Sequence, residues 1–148
     1  MNNKGFHLSV SAVGKTKNHS VVAKSAYNSG SKLVDEQSGV VHDYTSKAKD
    51  KILNLVDSDG TKYTQVIEKN VIHTALITPT LAGDLAVTRE GFWNDIERIE
   101  TRKNAQLGTE IDVMFPDGIT ADQRIVLAER YAQTLSDRYN VLVDVAIH

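Results

Sequence analysis

Tyr27 lies in Ser20-Val-Val-Ala-Lys-Ser-Ala-Tyr-Asn-Ser-Gly30, a short stretch with Lys24 three residues ahead of it and no acid. A phenol in basic surroundings can attack phosphorus and store the phosphodiester energy in a covalent phosphotyrosine. Spacing alone fits a packing tyrosine as well, the commoner use of this residue on a helix. Glu110 and Asp112 stand two apart in an alternating run, so their carboxylates share one face and can orient a histidine ligand or touch a hard cation; a solvated strand face is the plainer alternative. His148 ends an apolar run and can offer a neutral imidazole to a metal. One histidine makes no site, and His7, His19, His42 and His73 fall at no recognised ligand spacing. Asp57-Ser58-Asp59-Gly60 has the beginnings of a calcium loop, but its glycine comes too early and the closing glutamate is missing, so it reads as a turn.

The elements that must position these groups follow from periodicity. From Gly5 to Val13 apolar and polar residues alternate, which predicts a strand with Phe6, Leu8 and Val10 facing inward and His7, Ser9 and Ser11 together on the other face. Residues 14–18 are polar and form a loop. Ser20 then caps a helix from about Val21 to Ser31, with Val22, Ala26 and Gly30 or Ser29 at helical spacing. Hairpins are expected about Gln37-Ser38-Gly39 and about residues 57–60, and a strand over Val71–Ile77. Residues 89–103 put Phe92, Trp93, Ile96 and Ile99 along one helical stripe, with Thr88 as cap. A strand from Glu110 to Phe115 stops at Pro116-Asp117-Gly118. Thr120 and Gln123 form a capping-box pattern opening a helix to about Tyr139, lined by Ile125, Ala128, Ala132 and Leu135. Val141–His148 is a closing strand that breaks off in mid-element. This order predicts an α+β fold with helices packed on one face of a mainly antiparallel sheet.

A chain of 148 residues suits one domain able to bury roughly two-thirds of its unfolded surface. Apolar residues at 41% and charged residues at 24% are ordinary globular values and exclude a disordered reading. The absence of cysteine removes disulfides, thiolate metal sites and thiol nucleophiles, and fits a reducing, cytoplasmic setting. No run approaches the length of a membrane span or a signal peptide. The net charge of −2 argues against a general nucleic-acid coat, yet residues 1–34 hold Lys4, Lys15, Lys17, Lys24 and Lys32 and no acid, leaving 12 basic and all 19 acidic side chains to the remainder. The basic face is local and N-terminal.

In their order these motifs resemble the N-terminal relaxase domain of the MobA/MobL mobilisation family. FHLSV is similar to the family's opening strand, SVVAKSAYNSG to its nucleophile helix and LVDEQSGVVHDYT to its hairpin. FWNDIERIETRKNAQLGTEIDVMFP is similar to its helix and acidic strand, and VDVAIH to its metal-binding strand. Residues 48–70 are the least familiar. The resemblance implies a plasmid-mobilisation enzyme of the HUH-relaxase type that nicks one DNA strand at an origin of transfer. Tyr27 would be the nucleophile, Glu110 a catalytic carboxylate beside the metal site, Asp112 a supporting carboxylate and His148 the first histidine of a metal triad for magnesium or manganese. It also implies that the other two histidines, in an Asn-Pro-His-x-His run, lie past residue 148, so that the chain is a single, truncated nicking domain unable by itself to hold its metal. Single-stranded or locally melted origin DNA would meet His7, Ser9, Ser11, Lys15, Lys17, Lys24 and Lys32, and accessory mobilisation proteins and a secretion coupling protein are the other implied partners. A non-catalytic relaxase-like module for single strands or hairpins, and a scaffold domain without DNA affinity, are the competing readings.

Overall fold

The computed structural model describes residues 5–15 and 20–148. Strand β1 (His7–Gly14) pairs antiparallel with β7 (Gln106–Met114), from His7 opposite Met114 to Gly14 opposite Gln106, with an irregularity at Val13/Gly14. Helix α1 (Val21–Ser29) follows, then the hairpin β2 (Lys32–Val34) and β3 (Val41–Asp43), a 3-10 turn at Thr45–Ala48, and the hairpin β4 (Lys51–Val56) and β5 (Lys62–Ile67). Strand β6 (His73–Ile77), helix α2 (Arg89–Ile99), β7, helix α3 (Ala121–Tyr139) and β8 (Val143–Ile147) complete the order, with β6 and β8 antiparallel. The α+β expectation holds, and every strand pair is antiparallel. Among the described residues the strands form four two-stranded ladders.

Local chemistry sets the ends of these elements. The Ser20 hydroxyl accepts from the Val22 and Ala23 amides at 3.1 and 3.3 Å. From α2, the buried Glu97 carboxylate accepts from the Val21 amide at 2.7 Å, placing negative charge against the positive end of the helix. Gly30 closes α1 in the left-handed region at φ 61°, where a side chain would meet Val71 and Ala48 at 3.2–3.3 Å. Residues 57–60 form the expected turn, with Asp57 Oδ1 accepting from the Asp59 and Thr61 amides at 2.9 Å. The capping box of Thr120 and Gln123 is present, and α3 ends at Asn140.

Two small apolar clusters share Trp93. Val21, Ala105 and Leu107 pack with Val13 and Ile96, while Val22, Ala26 and Leu33 pack with Tyr44. The expected inward face of β1 is corrected by this arrangement: Phe6, Leu8 and Val10 are 62, 38 and 60% exposed. Alternation shows that the two faces of a strand differ, not which one is covered. Here α1 and α2 lie on the side of Val13 and Glu110, the side that also carries His7, Ser9 and Ser11, and the apolar residues of β1 are left on the other side. Helix α2 is also corrected. It ends at Ile99 rather than residue 103, and Ile99 is exposed whereas Asn94 and Glu97 are buried.

Candidate active site

Because Val22 and Ala26 are the inward residues of α1, the helical period turns Lys24, Tyr27 and Asn28 away from the core. Tyr27 is 52% exposed. Its ring meets that of Tyr44 edge to face, with centroids 5.3 Å apart and planes at 85°. The Lys47 ammonium stands 3.4 Å from the Tyr27 ring centroid and donates to the Tyr27 carbonyl at 2.7 Å. Tyr44 and Lys47 were not legible as site residues. Both come from the hairpin and the turn after it, twenty residues or so along the chain from Tyr27, and only tertiary packing brings them there.

The pairing of β7 with β1 sets Asp112 opposite Ser9 and Glu110 opposite Ser11, so all four side chains share one face. Glu110 is tied to α1: it accepts from Lys24 Nζ at 2.6 Å and from Asn28 Nδ2 at 3.5 Å. Asp112 is exposed. His148, just past β8, reaches the same turn of α1, where its Nε2 bonds the Asn28 carbonyl at 2.8 Å. A carbonyl only accepts, so Nε2 is the donor in this contact. Within one helical turn, α1 therefore presents Tyr27 and gathers both Glu110 and His148. Asn28 bonds each of them, one through its side chain and the other through its backbone. The carboxylate meets Lys24 and Asn28 and makes no direct bond to an imidazole.

The distance between α1 and β8 is held from beneath by Asp144. Its carboxylate, 12% exposed, accepts from Ser25 Oγ at 2.7 Å, Arg89 Nε at 2.8 Å and Trp93 Nε1 at 2.9 Å, joining β8 to α1 and α2. The sequence signal for it is a lone acid inside the apolar run Val141–Ile147, because a buried carboxylate needs donors.

The other candidates are dispersed. His7, Ser9 and Ser11 are exposed on the Glu110 face of β1. Lys15 bends back onto the end of α2, donating to the carbonyls of Glu97 and Glu100 at 3.3 and 2.6 Å. Lys24 is engaged by Glu110, Lys32 is exposed, and Lys17 and His19 lie outside the described residues. Among the described residues no three His, Cys, Asp or Glu side chains gather as a metal site. At this turn of α1 His148 offers one imidazole, which does not make a complete ion site.

A sequence profile of the MobA/MobL family matches residues 47–148. Over 143 residues the chain is 35% identical to the mobilization protein MobL of Acidithiobacillus ferridurans, covering 97% of this chain and 32% of that protein. It is 26% identical over 137 residues to the conjugal transfer protein TraA of Agrobacterium fabrum, covering 86% of this chain and 10% of that one. A solved structure described as the molecular basis of vancomycin resistance transfer in Staphylococcus aureus superposes with a TM-score of 0.75 at 28% identity. That match covers 97% of this chain and 62% of the other. The chain thus spans about a third of its MobL relative, and by profile and by identity over nearly its whole length it belongs to the MobA/MobL family.

Proposed function

We propose that this chain is the nucleophile-bearing part of a conjugative relaxase, which nicks one strand of plasmid DNA at an origin of transfer. The observation that carries the reading is the convergence on one turn of α1: an exposed tyrosine, a carboxylate from β7 and an imidazole from β8. Family membership and the naming of its relatives as mobilisation and conjugal transfer proteins support the same role.

In the proposed reaction the Tyr27 oxygen attacks the scissile phosphorus of a single-stranded or locally melted substrate. The new bond joins Tyr27 to the 5′ side, and the bond from phosphorus to the 3′ oxygen breaks. The phenolic proton passes to solvent or a nearby base, and the departing 3′ oxygen takes up a proton. Lys24, one turn of α1 ahead of the nucleophile, places positive charge where a backbone phosphate would lie. Glu110 holds Lys24 and Asn28 in register with Tyr27. A divalent ion, magnesium or manganese, would stabilise charge on a non-bridging oxygen when bound. His148 would give it one ligand and donors outside these 148 residues the rest, with Asp112 nearby on the same strand face as Glu110.

A labelled origin single strand with manganese or magnesium, resolved on denaturing gels, tests this. The expected result is a covalent protein–DNA adduct with a longer form of the protein that continues past His148, and none with its Tyr27→Phe variant. Binding without an adduct in either form would replace the enzyme by a non-catalytic single-strand module.

A further inference from the structure

We infer that Lys47 is a positioning residue for Tyr27, its ammonium clamping the ring of the nucleophile against α1; this rests on the nicking reading. Three features set this lysine apart from an ordinary surface cation. Its ammonium has two partners on one residue, the ring face at 3.4 Å and the carbonyl at 2.7 Å, so it fixes both the backbone and the side chain of Tyr27. The backbone of Lys47 is itself pinned, since its amide donates to the Tyr44 carbonyl at 3.0 Å and its carbonyl accepts from the Asn70 and Val71 amides at 2.9 Å. A further constraint on the ring comes from Tyr44, which packs against it edge to face.

An exposed tyrosine otherwise samples several χ1 wells, and only some aim the hydroxyl at a bound phosphate. The clamp removes that freedom before DNA arrives, and reaction at a preset geometry is faster than reaction after a search. Lys24, by contrast, is held by Glu110 and touches no part of the Tyr27 ring.

The test uses the protein encoded by the whole reading frame that contains this chain. Adduct formation is timed at saturating single-stranded origin DNA, with Kd measured separately by fluorescence anisotropy. Lys47→Met keeps apolar contact with the ring without the charge; it should slow adduct formation roughly 2- to 5-fold, the range that a cation–π contact at an exposed ring supplies, and leave Kd within about 2-fold. Lys47→Arg should restore most of the rate. Ring carbon signals of Tyr27, read by NMR, should shift and broaden in Lys47→Met and not in Lys47→Arg. Unchanged kinetics in Lys47→Met, or a loss confined to Kd, overturns the positioning role while leaving the nicking reading intact. No adduct from the unsubstituted protein sinks that reading and this role together. If Lys47→Met does not fold by circular dichroism, Lys47→Gln takes its place with the same outcomes.

Discussion

At the scale of single residues, Tyr27 stood out as a candidate only through the family resemblance of its motif, and Lys47 did not stand out at all. The motif around Tyr27 is contiguous, whereas Lys47, Tyr44 and Asn28 acquire their roles from contacts across the hairpin and between α1 and the two strands that reach it. Lys15 shows the reverse error of reading charge without its surroundings. As part of a basic segment it looks free for DNA, yet it caps α2 through the carbonyls of Glu97 and Glu100. Lys15→Ala should therefore lower thermal stability, by about 0.5–1 kcal/mol, and leave the salt dependence of DNA binding nearly unchanged. Lys32→Ala should reduce the slope of log K against log salt by about 0.7 without a stability cost, because each phosphate contact on a single strand contributes that much. Parallel binding titrations across salt concentrations distinguish the two.

Asp35 gives a pH prediction at the same scale. Burial pushes its carboxyl up, but hydrogen bonds from Ser20, Ser38 and Gln37 outweigh burial and hold it below the ordinary value. A carboxylate depressed in the folded state adds stability above its unfolded pKa, and that stability is lost as pH falls through the lower, folded value. Asp43 and Asp137 are depressed as well, and Glu100 is lowered to about 2 by Arg102. Denaturant unfolding at a series of acid pH values should show stability dropping below about pH 4. Asp35→Asn should flatten part of that drop; an identical profile would contradict the role given to the Asp35 cluster.

At the scale of elements, caps and turns were the most readable features, since Ser20, Thr88, Thr120 and the turn at residues 57–60 act through neighbours in sequence. The covered faces were less readable. Helix α2 buries Asn94 and Glu97 because their polar atoms serve the backbones of other elements: Asn94 bonds Val34 and Glu36, and Glu97 bonds Val21. An apolar stripe cannot reveal that use. Asp144 is the strongest case, and Asp144→Ala should cost about 3 kcal/mol, because it leaves Arg89, Ser25 and Trp93 without their shared acceptor. Gly30→Ala should cost about 1–2 kcal/mol from its left-handed backbone alone, with crowding by Val71 and Ala48 adding to it. Thermal or urea unfolding measures both, and a neutral Asp144→Ala would remove the link proposed between β8 and α1.

At the scale of the whole molecule, an α+β order was legible from the succession of periods, and its antiparallel pairing was borne out. The orientation of the first strand was not. Nothing local tells Phe6, Leu8 and Val10 that the helices will pack on the other side, where Val13 joins the core and Glu110 reaches α1. That inversion matters for the candidate site, since it turns the polar face of β1 and β7 toward α1. Among the described residues no helix is long and apolar enough to cross a membrane. In the proposed reaction Tyr27 becomes bonded to the 5′ phosphate of a cut strand. The most direct test incubates the longer protein with origin single strand and a divalent ion, digests the product with protease and nuclease, and locates the modified peptide by mass spectrometry. A nucleotide attached to Tyr27 through phosphate is the result this account predicts; an adduct on another residue, such as Tyr44, would contradict it.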